Sequence, residues 1–101
     1  MFGLPENVLK LLNDYFIDHP QIVQVFVYGS RAMGRETSGS DVDLAIVTLS
    51  EQDISGTVKM DLEELPTPYL FDVIDYRRIT HQPLRDHIDR VGKLLFQQTH
   101  K

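Results

Sequence analysis

The strongest constraint on this chain is the stretch 27–44, VYGSRAMGRETSGSDVDL. It joins two apolar runs, 23–28 and 44–47, through a Gly29-Ser30 break and a polar loop that ends in two aspartates one residue apart. Successive side chains of a β-strand point to opposite faces, so Asp41 and Asp43 face one way while Val42, Leu44 and Ile46 face a core. Two carboxylates about 4 Å apart repel by roughly 4 kcal/mol at an effective dielectric near 20. That is a large share of the ~5–15 kcal/mol that holds a small domain together. A shared proton or a bound cation relieves the repulsion, and Mg²⁺ suits hard carboxylate ligands. An Asp-x-Asp by itself is also a common solvated strand entrance; the weight lies in the whole block.

The rest of the chain arranges itself around that block. Val8, Leu11, Leu12, Tyr15 and Phe16 recur at helical spacing after Pro5, and His19-Pro20 ends that helix. Residues 22–28 read as a first strand with cover on both faces. Gly29 sits at a sharp turn and close approach, and residues 30–34 can open a short helix whose free N–H groups suit phosphate. Ser30 adds a hydroxyl there, or is an ordinary helix cap. Residues 42–48 are a second strand, and Ser50 to Asp53 read as the capped start of a helix carrying Ile54, Val58, Leu62 and Leu65 on one face. Pro66 and Pro68 end it.

Residues 69–76 read as a third strand holding Asp72 and Asp75, which face opposite sides, so only one can join Asp41 and Asp43. Asp72 lies between Phe71 and Val73, where an unpaired charge is costly, and Asp75 has Arg77 and Arg78 beside it as neutralising partners. Asp72 is therefore the expected third site residue. Leu84, Ile88, Val91 and Leu95 predict a last helix from near Pro83, with Leu94 and Phe96 left as an apolar patch that points to a complex or homo-oligomer. His81, His87 and His100 show no ligand spacing and are assigned no role. Four helices and three strands predict a single α/β domain over residues 1–101 with a small mixed sheet.

Gly-Ser, ten residues, then Asp-x-Asp resembles the signature of the nucleotidyltransferase superfamily that includes DNA polymerase beta. The wording GSRAMG followed by SGSDVDLAIV is similar to its minimal nucleotidyltransferase (MNT) branch. The resemblance implies a polymerase beta-type fold, ATP as substrate and two Mg²⁺ ions. It implies that Asp41, Asp43 and Asp72 are the catalytic and metal-holding residues, with Asp72 in the apolar strand LFDVIDY as the third carboxylate. Gly29, Ser30, Arg31 and Ser40 are the expected nucleotide-binding residues. Met33 stands where the family usually has a second arginine, so the phosphate contacts depart from the pattern there. The MNT branch is usually found with a helical HEPN partner, a ribonuclease toxin, and some members transfer AMP to a tyrosine of it.

Composition sets the remaining bounds. Ten basic against fifteen acidic residues leave a net charge of −5, which argues against direct binding to nucleic-acid phosphates. No cysteine is present, which removes disulfides and thiolate metal sites. No apolar run approaches the roughly 20 residues of a membrane helix, and the N-terminus lacks a signal-peptide pattern, so the expected location is cytoplasmic. The domain leaves no residues for an acceptor-binding domain, so the acceptor is expected in trans. Two other readings stand beside the enzyme: a module that neutralises its partner by covering it, and a small-molecule, aminoglycoside-type transferase.

Overall fold

The computed structural model describes residues 1–37 and 39–99; Ser38 of the polar loop, His100 and Lys101 lie outside them. Four helices and a four-stranded mixed sheet alternate along the chain: α1 (Glu6–Ile17), β1 (Ile22–Tyr28), α2 (Gly29–Ala32), β2 (Val42–Thr48), α3 (Ser55–Glu63), β3 (Phe71–Asp75), α4 (Gln82–Val91) and β4 (Lys93–Gln97), with a 3-10 turn (Tyr76–Arg78) after β3. The strand order is β3-β2-β1-β4. β1 runs antiparallel to β2 and β4, and β2 runs parallel to β3.

The period-2 pattern of β2 divides the molecule. Val42, Leu44 and Ile46 join Val8, Leu12 and Phe16 of α1 and Val58 and Leu62 of α3 in the main core. Each such side chain taken fully out of water contributes about 1.5–3 kcal/mol. Ala45, on the opposite face, packs with Tyr28 and with Ile88 of α4 in a smaller cluster. Tyr15 and Phe16 are core aromatics as expected: Phe16 is fully buried, and Tyr15 donates from its hydroxyl to Asp61 of α3 at 2.6 Å.

Two expected helix bounds need correction. The last helix does not reach Leu95. It stops at Val91, where Gly92 turns extended, and Leu94, Leu95 and Phe96 belong to the edge strand β4, paired to β1. Phe96 is buried and packs its ring 5.5 Å from that of Phe16, so the predicted patch shrinks to Leu94, which is 47% exposed. The third helix starts at Ser55 rather than near Ser50; Asp53 accepts from the Ser55 amide and hydroxyl at 2.9 and 2.7 Å just ahead of it.

The two acids of β3 part as their spacing requires, but with burial reversed. Asp75 is the buried one, 3% exposed. Its carboxylate accepts from the Arg77 amide at 3.0 Å, from Arg78 Nε at 3.3 Å and from the Thr48 hydroxyl at 3.4 Å. Asp72 is exposed, so the burial cost expected for it is not what marks it out. Asp75→Asn is expected to lose about 1–3 kcal/mol, the cost of uncoupling a buried hydrogen-bonded charge. Chemical denaturation checks this, and any transfer activity should survive at permissive temperature.

Candidate active site

The site forms where β1 ends. Tyr28 lies opposite Asp43 across the β1–β2 ladder, and Asp43 is in register with Asp72 across the parallel β2–β3 ladder. Tyr28, Asp43 and Asp72 therefore form a row on the α4 face of the sheet. Asp41 stands just ahead of β2, exposed, and its charge is felt at Asp43. The start of β3 is fixed from the other side: Glu63 of α3 takes the Phe71 amide at 3.0 Å and is itself held by Lys59 at 2.8 Å.

Gly29 is where the fold has least freedom. Its φ of +71° lies in the left-handed region, and a Cβ there would collide with the Asp43 carboxylate. The turn and the carboxylate thus touch directly. Gly29→Ala is expected to cost about 1–2 kcal/mol in backbone strain and to push the Asp43 carboxylate out of line. A melting curve reads the first effect.

Electrostatics at the row are one-sided. Burial, then the charges of Asp72 and Asp41, hold the Asp43 carboxyl above its usual range. The Tyr28 hydroxyl is pushed well above its usual range by burial and then by Asp72 and Asp43. Among the described residues, none of Asp41, Asp43 and Asp72 has a side-chain hydrogen bond or ion pair. Nor do any three His, Asp or Glu side chains among those residues close into a ready-made metal cage. A set of hard oxygen donors with no direct partner among the described residues fits a divalent cation such as Mg²⁺ by its chemistry, one that would arrive with a ligand completing its coordination.

The expected nucleotide-binding residues divide. Gly29 and Ser30 lie in the turn and α2, and the Ser30 hydroxyl has no partner among the described residues. Ser40 turns its hydroxyl to the Thr37 amide at 2.9 Å and so closes the loop on itself. Arg31 is the clearest departure: only 4% exposed, it points inward instead of toward a triphosphate. It donates through Nη1 to the Phe2 carbonyl at 3.0 Å and through Nη2 to the Ser40 carbonyl at 2.8 Å, and its guanidinium lies 5.2 Å from the centre of the Tyr69 ring. Its Nε and Glu36 Oε1 are buried without partners among the described residues, and both residues line a cavity of about 250 Å³, room enough for water. The sequence reading missed His87. Its Nε2 accepts from the Gly29 amide at 3.3 Å, and its ring packs edge-on to Tyr28 at 6.2 Å. The signal was present, because 84, 87, 88 and 91 follow one helical face.

Residues 10–101 match the family described as polymerase beta, nucleotidyltransferase. The chain belongs to the polymerase beta nucleotidyltransferase family. Solved structures similar to this nucleotidyltransferase include a toxin–antitoxin with AMP-PNP, at 23% identity and a TM-score of 0.64, covering 95% of this chain and 76% of that one. A second is the toxin–antitoxin MntA–HepT, at 16% identity and a TM-score of 0.69, covering 93% and 74%. A third is a tri-AMPylated Shewanella oneidensis HEPN toxin in complex with MNT antitoxin, at 18% identity and a TM-score of 0.62, covering 89% and 73%. At these identities the likeness is one of fold. A comparison with curated protein sequences finds no match. The nucleotidyltransferase fold places the expected glycine turn, carboxylate strand and third acidic strand side by side. No helix among the described residues is long and apolar enough to cross a membrane.

Proposed function

We propose that this nucleotidyltransferase transfers AMP from ATP to a hydroxyl, a tyrosine in the leading case, of a HEPN-type partner and so acts as its antitoxin. The observation that carries the proposal is the contact of the Gly29 turn with Asp43, itself in register with Asp72. Nucleotidyl transfer needs positioning and charge neutralisation more than covalent chemistry. The turn would offer backbone amides, and the Ser30 hydroxyl that has no partner among the described residues, to phosphate oxygens. Asp41, Asp43 and Asp72 would hold two Mg²⁺ ions, whose charge would offset that of the triphosphate. Asp72, exposed at the start of its strand, would receive the proton of an incoming hydroxyl. Arg31 is a strut in this reading, tying the Ser40 loop that leads into Asp41 to the N-terminal segment.

The partner is argued from two sides. The similar structures come from complexes of an MNT antitoxin or a toxin–antitoxin pair, one of them AMPylated. The net charge of −5 suits a basic, RNA-cleaving partner through complementary fields. Incubating this protein and a HEPN-type partner with ATP and Mg²⁺ is expected to add one or more AMP masses to the partner and to lower its ribonuclease activity. Silencing without added mass would replace the enzyme by a covering module.

A further inference from the structure

His87 occupies an unusual place. The amide it accepts from belongs to Gly29, the residue whose turn meets the Asp43 carboxylate. An N–H donor is served by one acceptor along its own direction, so Nε2 sits where a phosphate oxygen bonded to that amide would sit. Both cannot hold the amide at full strength. To accept, Nε2 must be unprotonated, which places the ring proton of the neutral imidazole on Nδ1. The ring is held from the side by Tyr28, and α4 brings it to the turn next to the buried Ile88.

Resting on the nucleotidyltransferase reading, we propose that His87 is a resident acceptor which satisfies the Gly29 amide in the empty site and which the nucleotide phosphate must displace. His87 thereby tunes nucleotide affinity downward and keeps a half-buried amide paired between turnovers. A half-buried donor without a partner is costly, which gives the histidine its physical reason. Binding then exchanges one acceptor for another, and part of the phosphate's hydrogen bond is spent on releasing the imidazole. Removing the imidazole removes the competitor. Restoring an acceptor of similar reach restores the competition.

The test compares wild type, His87→Ala and His87→Gln. Mg²⁺-ATP binding is measured by calorimetry, KM and kcat for transfer by kinetics, and exchange protection of the Gly29 amide by NMR without ligand. His87→Ala is expected to bind nucleotide about three- to tenfold more tightly, the worth of one net hydrogen bond. KM should fall to match, kcat should not rise, and Gly29 protection in the empty protein should be lost. His87→Gln, whose carbonyl can accept, should return both towards wild type. A purely structural role would weaken binding in both variants in step with their melting temperatures. Equal or weaker binding by a folded His87→Ala overturns the proposal, as does unchanged Gly29 protection. Wild type that binds no nucleotide overturns the nucleotidyltransferase reading itself and the displacement with it.

Discussion

Asp43→Asn is expected to reduce the proposed AMP transfer on the order of a thousandfold, the scale of losing one preorganised charge-stabilising group, while raising the melting temperature at neutral pH by a few degrees. The two effects share a cause. Asp43 is crowded by burial and by the charges of Asp72 and Asp41, so its carboxyl titrates above the ordinary aspartate value of 3.8. A folded-state value above the unfolded one means that the native state binds the proton more tightly. The associated stabilisation is full below the unfolded value and is lost as pH rises through the folded one. At pH 7 the ionised Asp43 is thus a net cost, and an amide of the same shape removes it. The gain of Asp43→Asn over wild type should therefore shrink as pH falls and vanish near 3.8. Paired melts from pH 7 to pH 4, beside transfer assays, check both halves. A variant less stable at every pH would mean that the carboxylate holds a structural bond instead.

Arg31→Ala is expected to be the most destabilising single change at the loop. Two carbonyls, of Phe2 and Ser40, lose their donor, and the stacked contact with Tyr69 goes with them. At ~1–3 kcal/mol for each polar group left unpaired, a loss of about 3 kcal/mol is reasonable. For a domain of this size, where each kcal/mol moves the melting point by ~4–8 °C, that is roughly 12–24 °C. Lysine offers a point charge in place of the two-pronged fork, so Arg31→Lys should recover less than half of the loss. The contrast with a phosphate ligand is sharp. If Arg31 served the nucleotide, Arg31→Lys would melt like wild type and lose ATP affinity. If it is a strut, the melting point falls and affinity follows only as far as the Asp41 loop loosens. Thermal melts combined with ATP titration at a temperature where both proteins are folded separate these outcomes.

Much of the site could be read from local sequence, for local reasons. The alternation Asp41, Asp43 against Val42, Leu44, Ile46 is a property of any strand, and it put the carboxylates opposite the core face without reference to anything else. The sharp turn at Gly29 followed from its chemistry, and the structure gives it a φ of +71°. The separation of Asp72 from Asp75 followed from the same period of two. The reason first attached to Asp72 did not survive: its neighbours Phe71 and Val73 are buried on the other face, which says nothing about the face Asp72 occupies. The membership of the polymerase beta nucleotidyltransferase family was legible from Gly29-Ser30 and Asp41-x-Asp43.

The features legible in the chain alone were those that depend on residues close together in it: the strand faces, the glycine turn, the helix of 6–17 and the start, though not the end, of the helix that opens near Pro83. The remaining features depend on a partner far away in the chain. Residues 93–97 fit a helical stripe as well as a strand, because five residues are too few to show a period; the free edge of β1 made them a strand. Arg31 carries the same charge inside or out. The carbonyls of Phe2 and Ser40 and the ring of Tyr69, brought together by folding, made it cheaper to bury than to expose. His87 became part of the site because α4 crosses the end of β1, a distance of 58 residues that no local pattern spans.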